Sequence, residues 1–329
     1  MNSLVIQIQE PSDLAQARRS AIEAGRAADL DNDSVNRLDI VTAELATNLL
    51  MHAQRGEIVL TTPEQHSIEV IAVECSPLPA DKPADPGVAS QDLALTGSTL
   101  WLDLRTLRAQ SQRVSAYTST HQGKVISALV QPPWVERLPR TSVISLPITG
   151  ESVCGDSWAQ GEVSGRVLYM IADGLGHGAH AAEASALAAT IFNGAMEESP
   201  DEIVRRMHKP MKATRGAAVM VVSLDREAEL ARWCGVGNIS GTLQAPGGSR
   251  GLASDNGTVG HQTPRIRIQE RPWFPTDTLI MHSDGLSGRW RLEKYANLLS
   301  FSTAAIAGVL YRDFSSERDD RTILVAKVA

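Results

Sequence analysis

The chain has 329 residues, 43% hydrophobic and 21% charged, enough for two globular domains of ordinary composition. The net charge of −7 falls mostly in residues 1–135, with 10 Lys/Arg against 16 Asp/Glu, while the remainder holds 21 against 22, and neither part is basic enough for a nucleic-acid surface. Three widely spaced cysteines form no CxxC pair, the N-terminus is unlike a signal peptide, and no apolar run nears the roughly 18 residues that span a bilayer, so the expectation is a cytoplasmic protein with no membrane or nucleic-acid partner.

Leu4–Ile8 reads as a strand. Pro11-Ser12-Asp13 opens a helix with Ser12 or Asp13 as N-cap, continued by Leu14, Ala17, Ala21 and Ile22. A second helix follows the cap region Asp31–Ser34, with Val35, Leu38, Val41, Leu45, Ala46 and Leu49 on its apolar face. Glu44, Asn48 and His52 recur every four residues along it and share one polar stripe, which is either a ligand-facing edge or a solvated face. Ile58–Thr62 and Ser67–Val73 are paired strands, residues 76–98 a proline-bearing loop, and Ser98–Ser111 a helix. The hairpin Val114–Thr118 and Lys124–Val130 completes a first domain, residues 1–135.

The run Glu44-Leu45-Ala46-Thr47-Asn48-Leu49-Leu50-Met51-His52-Ala53 resembles the N-box of the GHKL ATPase fold, in its anti-sigma-factor or serine-kinase (RsbT/RsbW-like) branch. The resemblance implies an N-terminal α/β sandwich in which Asn48 would bind the magnesium of ATP and Glu44 would lie near the reacting phosphate. Two other features depart from that family. Where it has Asp-x-Gly-x-Gly, this chain has Glu74-Cys75-Ser76-Pro77-Leu78-Pro79, and the stretch matching the lid, Leu95–Trp101, carries Gly97 alone. Glycines there let the backbone wrap phosphates, which prolines and bulky residues do not. The expectation is weak or lost ATP binding and a docking role, with a homodimer through this domain as one form of it.

Pro132-Pro133 and Pro139 mark the boundary to a second domain, residues 136–329. Thr141–Leu146 is a strand. Gly155-Asp156-Ser157-Trp158 enters a hairpin, and the apolar strand Val167–Ala172 ends in Asp173-Gly174-Leu175-Gly176-His177-Gly178. The hairpin brings Asp156 near Asp173. An alanine-rich helix runs over Ala179–Asn193, another over Asp201–His208, and Ala217–Leu224 pairs with Glu229–Cys234. The strand–Asp–Gly pattern recurs at Thr278–Gly285, and Asp319-Asp320 opens the last strand. A single Asp-Gly is usually a turn. Carboxylates at four strand ends can instead converge, and their mutual repulsion is relieved by divalent cations, for which all-oxygen ligands favour Mg²⁺ or Mn²⁺. Two such ions can activate a water for in-line attack on a phosphate ester.

Residues 140–329 resemble the PPM family of metal-dependent Ser/Thr phosphatases in its SpoIIE branch, on Gly155-Asp156-Ser157-Trp158, Asp173–Gly178, Ser283-Asp284-Gly285 and Asp319-Asp320-Arg321-Thr322 in family order, and the compact size and the run Gly235-Val236-Gly237-Asn238 look most like the RsbX type. The resemblance implies an α-β-β-α sandwich, so the fold class expected for the chain is α/β (α+β). It implies that Asp173 bridges two metals, that Gly174 offers its carbonyl to one, that Asp284 and Asp319 complete the other shell, and that Asp156 contacts the metals directly or through water. Asp320 would be a neighbour. His177 is either a proton donor to the leaving oxygen or a turn residue ordering its loop. Asn238, where many PPM enzymes carry a third-metal aspartate, has no charge, and no phosphate-gripping arginine stands out. Cys154 reads as a small buried residue. The implied function is dephosphorylation of phosphoserine or phosphothreonine on a STAS-domain regulator (RsbS/RsbR-like) in stress or sigma-factor partner switching. The alternatives are a non-catalytic partner-switching protein acting through the N-terminal domain and a bifunctional serine kinase/phosphatase.

Overall fold

The computed structural model describes residues 3–53, 55–75, 104–119, 123–245, 247–261 and 265–327. The chain opens with β1 (Leu4–Ile8), α1 (Pro11–Ala27), α2 (Asn32–His52), β2 (Gly56–Thr61) and β3 (Ile68–Glu74). It continues through α3 (Leu104–Gln110), β4 (Arg113–Ser119), β5 (Gly123–Val130) and β6 (Thr141–Leu146). Then come β7 (Asp156–Val163), β8 (Arg166–Gly174), α4 (Ala179–Asn193), α5 (Pro200–His208), β9 (Ala217–Asp225) and β10 (Leu230–Val236). The last elements are β11 (Ser240–Ala245), β12 (Gly248–Leu252), β13 (Gln269–Pro272), β14 (Thr278–His282), α6 (Thr303–Phe314) and β15 (Arg321–Lys327).

These elements form two compact units. One comprises Ser3–Ile144 with Trp290–Asp313, the other Ser145–Arg289 with the chain from Phe314 on. In the first, an antiparallel sheet of order β1-β2-β3-β5-β4 is covered on one face by α1 and α2, whose Ala17, Ala21, Leu38, Val41 and Leu45 meet Ile58, Val70 and Ile126. The N-cap of α1 is Glu10 rather than Ser12 or Asp13. Asp13 is the third helical residue, and its carboxylate returns to the Glu10 backbone N–H (2.9 Å), closing a capping box. Of the helix read over Ser98–Ser111, Leu104–Gln110 is helical; its start, the Pro77/Pro79 loop and the Leu95–Trp101 lid stretch lie outside the described residues.

The boundary read near residue 135 is crossed by α6, which belongs to the first unit although it follows β14 in the chain. Its residues Thr303 to Tyr311 are all buried. At Gly308 an added β-carbon would lie 2.7 Å from Val125 and 2.9 Å from Ile71, so the helix approaches the sheet where it lacks a side chain.

The second unit carries an antiparallel sheet β13-β10-β9-β8-β7 and the strands β12-β11-β14-β15 of a second sheet, whose edge strand β6 spans the division between Ile144 and Ser145. Leu168, Met170 and Ala172 of β8 point to α4 and α5, packing on Ala184, Ala188, Phe192 and Met207. The small residues of α4 permit this close helix–sheet approach. The alternate residues of β8, Tyr169 and Ile171, are equally buried on the other face, which is why the strand reads as a continuous apolar run rather than an alternating one.

Candidate metal centre

In the second unit the strand ends of both sheets meet. β7 and β8 pair with Asp156 opposite Asp173, a register that leaves the two backbones about 5 Å apart with both side chains on one face. Asp284 lies two residues beyond β14 and Asp319 two before β15. Between them, Ser283 fastens one sheet to the other. Its N–H donates to Thr322 O (3.0 Å), its Oγ accepts from Thr322 N–H (3.0 Å), and the same hydroxyl donates to Asp156 Oδ2 (2.6 Å).

Asp173, Asp284, Asp319, His177, Asn238 and Arg318 are among the residues lining a cleft of about 610 Å³. Asp156 is not part of that lining. It is buried beside Asp173, 3% exposed, and its Oδ1 has no hydrogen-bond partner. Burial, and then the charges of Asp156, Asp284 and Asp319, push the Asp173 carboxyl up to about 9. Burial pushes Asp156 up to about 7 against the opposing effect of Ser283. Burial and then the Asp319 charge raise Asp284. Asp320 is also raised by burial; its Oδ1 accepts from Ile148 N–H (2.9 Å) and its Oδ2 is buried without a partner.

Gly174, the proposed carbonyl ligand, is buried where the first turn of α4 crosses it. A β-carbon there would sit 2.0 Å from Ala181 O, so no larger residue fits. Gly176 and Gly178 both have positive φ and turn the chain into α4. His177 between them is exposed at the cleft, its Nδ1 2.8 Å from Glu151 Oε1. The Asn238 amide donates to Asp284 Oδ2 (2.7 Å), so it holds an aspartate rather than supplying one. The Cys154 thiol is buried and pushed up to about 12, which makes it inert as a nucleophile.

Among the described residues, no three His, Cys, Asp or Glu side chains close around one point as a preformed cage. Protein donors hold three of the carboxylates: Ser283 binds Asp156, Asn238 binds Asp284, and the Asp320 N–H binds Asp319 Oδ1 (2.9 Å). The donor set is nevertheless all oxygen, the carboxylates repel one another, and Asp156 Oδ1 is orphaned in a buried site. These features fit hard divalent cations.

Residues 164–329, half of the chain, match the family model for stage II sporulation protein E (SpoIIE). The chain belongs to the SpoIIE family. Its C-terminal half is a PPM-type serine/threonine phosphatase domain, a hydrolase. This SpoIIE-family chain is similar to phosphoserine phosphatase RsbX of Bacillus subtilis (strain 168), with 26% identity over 194 residues, 58% of this chain and 95% of RsbX. The solved structure of RsbX in complex with magnesium matches with a TM-score of 0.53 at 26% identity, over 57% of this chain and 94% of that one. A chain from work on the bacterial stressosome, as a modular system adapted to control secondary messenger signalling, matches with a TM-score of 0.53 at 25% identity, over 57% of this chain and 98% of that one.

Outside the family match, the first unit places Glu44 and Asn48 on one half-buried edge of α2. Asn48 and His52 line a cavity of about 10 Å³ with Glu74 and Lys124. That is the size of one water. Burial raises Glu74 and the Lys124 charge opposes the shift, so a cation of the protein itself stands beside this edge.

The sequence showed Ser283 only as part of Ser283-Asp284-Gly285, without its clamping role, and assigned no place in the site to Glu151 or Arg318. Ser283 had a signal: a hydroxyl beside an Asp at the end of an otherwise apolar strand needs a partner once buried. Glu151 lies in a loop with no pattern to mark it, and Arg318 reads as one more surface cation.

Proposed function

We propose that this SpoIIE-family phosphatase removes phosphate from serine or threonine of a STAS-domain regulator in a partner-switching pathway. The observation that carries this is Asp173, paired across the strands with the buried Asp156 and sharing one cleft with Asp284 and Asp319. The substrate class is supported by similarity to phosphoserine phosphatase RsbX and to a chain from stressosome work.

Asp173, Asp284 and Asp319 would hold two Mg²⁺ or Mn²⁺ ions with the Gly174 carbonyl, and Asp156 would support them from below. The bound ions supply charge neutralisation of the phosphoryl group and activation of water. The likeness to RsbX in complex with magnesium supports this dependence. Ser283 and Asn238 orient two of the carboxylates, Asp156 and Asp284. Glu151 accepts from His177 Nδ1–H, which leaves Nε2 to face the cleft, and in its doubly protonated form the ring would donate from Nε2 to the departing serine oxygen.

The first unit serves to bind the partner or a second copy of the chain. The residues at Glu74–Pro79 and Leu95–Trp101, which lack the family's phosphate-wrapping glycines, and Lys124 beside Asn48 argue against ATP there, and so against a bifunctional kinase. Three free cysteines suit a reducing cytoplasm. The test is incubation of the full chain and Mn²⁺ with a serine-phosphorylated STAS protein, followed by intact-mass measurement. Loss of the phosphate mass is expected. Retention of that mass, in protein that turns over a phosphoserine peptide, refutes the STAS assignment.

A further inference from the structure

We propose that Lys209, Lys212 and Arg215 form a docking track for acidic residues flanking the phosphorylated residue of a protein substrate. The proposal rests on the phosphatase reading and adds how that site selects its substrate.

In a chain of net charge −7, residues 203–215 contain five Lys/Arg and no Asp/Glu. Two of the five are engaged: Arg205 pairs with Asp201 (2.6 Å) and Arg206 with Glu198 (2.6 Å). Lys209, Lys212 and Arg215 are exposed, and among the described residues no carboxylate pairs with them. Lys209 has helical backbone angles and leads into the 3₁₀ helix Pro210–Ala213. At three residues per turn, Lys209 and Lys212 share one side.

The track is built onto the cleft. Thr214 turns the chain, its Oγ1 donating to Met211 O (2.8 Å) and accepting from Gly216 N–H (3.0 Å). Leu175 N–H then donates to Gly216 O (3.0 Å), which fastens this turn to the loop carrying Gly176 and His177. The Arg215 guanidinium lies against Gly176: a β-carbon on Gly176 would sit 2.8 Å from Arg215 Nη1. Gly176 and Leu175 line the cleft, so Arg215 stands at its rim.

Charge gives this placement a function. Cations bound by Asp173, Asp284 and Asp319 would draw the phosphate itself, but they lie inside the cleft and do not reach the acidic residues on either side of it. Uncommitted cations on the rim attract those flanking residues while the phosphate enters. A small aryl phosphate has no flanking residues and does not use the track.

The test compares p-nitrophenyl phosphate, a phosphoserine peptide flanked by Asp and Glu, and the same peptide with Asn and Gln, all with the full chain and Mn²⁺. Three exposed charge pairs, each worth a factor of about two, give about a tenfold preference in kcat/KM for the acidic peptide, lost at high salt. The triple variant Lys209→Glu/Lys212→Glu/Arg215→Glu is expected to lose the preference through KM and to keep its p-nitrophenyl phosphate turnover, which also reports that it folds. The milder Lys209→Gln/Lys212→Gln should lose part of it. Equal kcat/KM on both peptides, or a preference that survives charge reversal, overturns the proposal alone. Absence of metal-dependent turnover on all three substrates overturns the phosphatase reading together with it.

Discussion

Asp173→Asn should make the metal-free protein more stable while ending its catalysis. Burial and the surrounding carboxylates raise Asp173 from 3.8 to about 9. Below pH 4 folded and unfolded chains both carry this proton, and the group costs nothing. As pH rises, the unfolded chain releases the proton and the folded chain keeps it, so stability falls by about 1.4 kcal/mol per pH unit until the folded pKa is passed. Over the three units to pH 7 this approaches 4 kcal/mol. Because Asp173 and Asp156 share the effect, the expected gain for the variant is about 2–4 kcal/mol at pH 8, or a rise of about 5 °C or more in Tm. The amide carries no such charge, so its metal-free melting temperature should vary less with pH. Mn²⁺ at a hundredfold excess over Kd should return about 2.7 kcal/mol to the wild type and little to the variant. The assay is thermal unfolding of both proteins from pH 5 to 9, in chelator and in Mn²⁺. Parallel pH profiles in chelator, or a variant less stable than wild type at pH 8, would refute the reasoning.

Three further outcomes follow from other contacts. Ser283→Ala strands the buried Thr322 N–H and takes from the buried Asp156 Oδ2 its Ser283 donor. It should cost about 2–4 kcal/mol in urea unfolding, and a cost within error of zero would show that the clamp contributes nothing. His177→Ala should lower kcat on a phosphoserine peptide by about a hundredfold and hardly affect p-nitrophenyl phosphate, whose leaving group departs without a proton; equal losses on both substrates would reduce His177 to ordering its loop. Calorimetric titration of the full chain with Mg·ATP should give no binding heat, and Glu44→Ala and Asn48→Ala should leave phosphatase turnover unchanged; a saturable heat abolished by Asn48→Ala would restore the nucleotide site.

Much of the second unit was legible because its signals are local. Asp173-Gly174 and Ser283-Asp284-Gly285 each end an apolar strand, and the turn around Ser164-Gly165 sets the register that places Asp156 opposite Asp173. The α4 boundaries follow from the glycines before Ala179 and after Asn193. What stayed hidden depends on contacts distant in sequence. The helix α6 is buried nearly all round, so it lacks the amphipathic stripe that would announce it, and nothing in residues 303–314 says that it packs on β3 and β5. Asn238 was read by its missing charge, whereas its use is to donate to Asp284, 46 residues away. The Glu44–Asn48–His52 stripe stayed ambiguous because its meaning depends on Lys124, which stands on β5.

The central claim is that Asp156, Asp173, Asp284 and Asp319 form a divalent-metal phosphatase centre. Its most direct test is phosphate release from a phosphoserine peptide by the full chain, titrated with Mn²⁺ after chelation, beside Asp173→Asn. The account predicts turnover that appears with Mn²⁺, saturates, and falls by at least about a thousandfold in the variant. Turnover that persists in chelator, or an Asp173→Asn protein as active as the wild type, would contradict it.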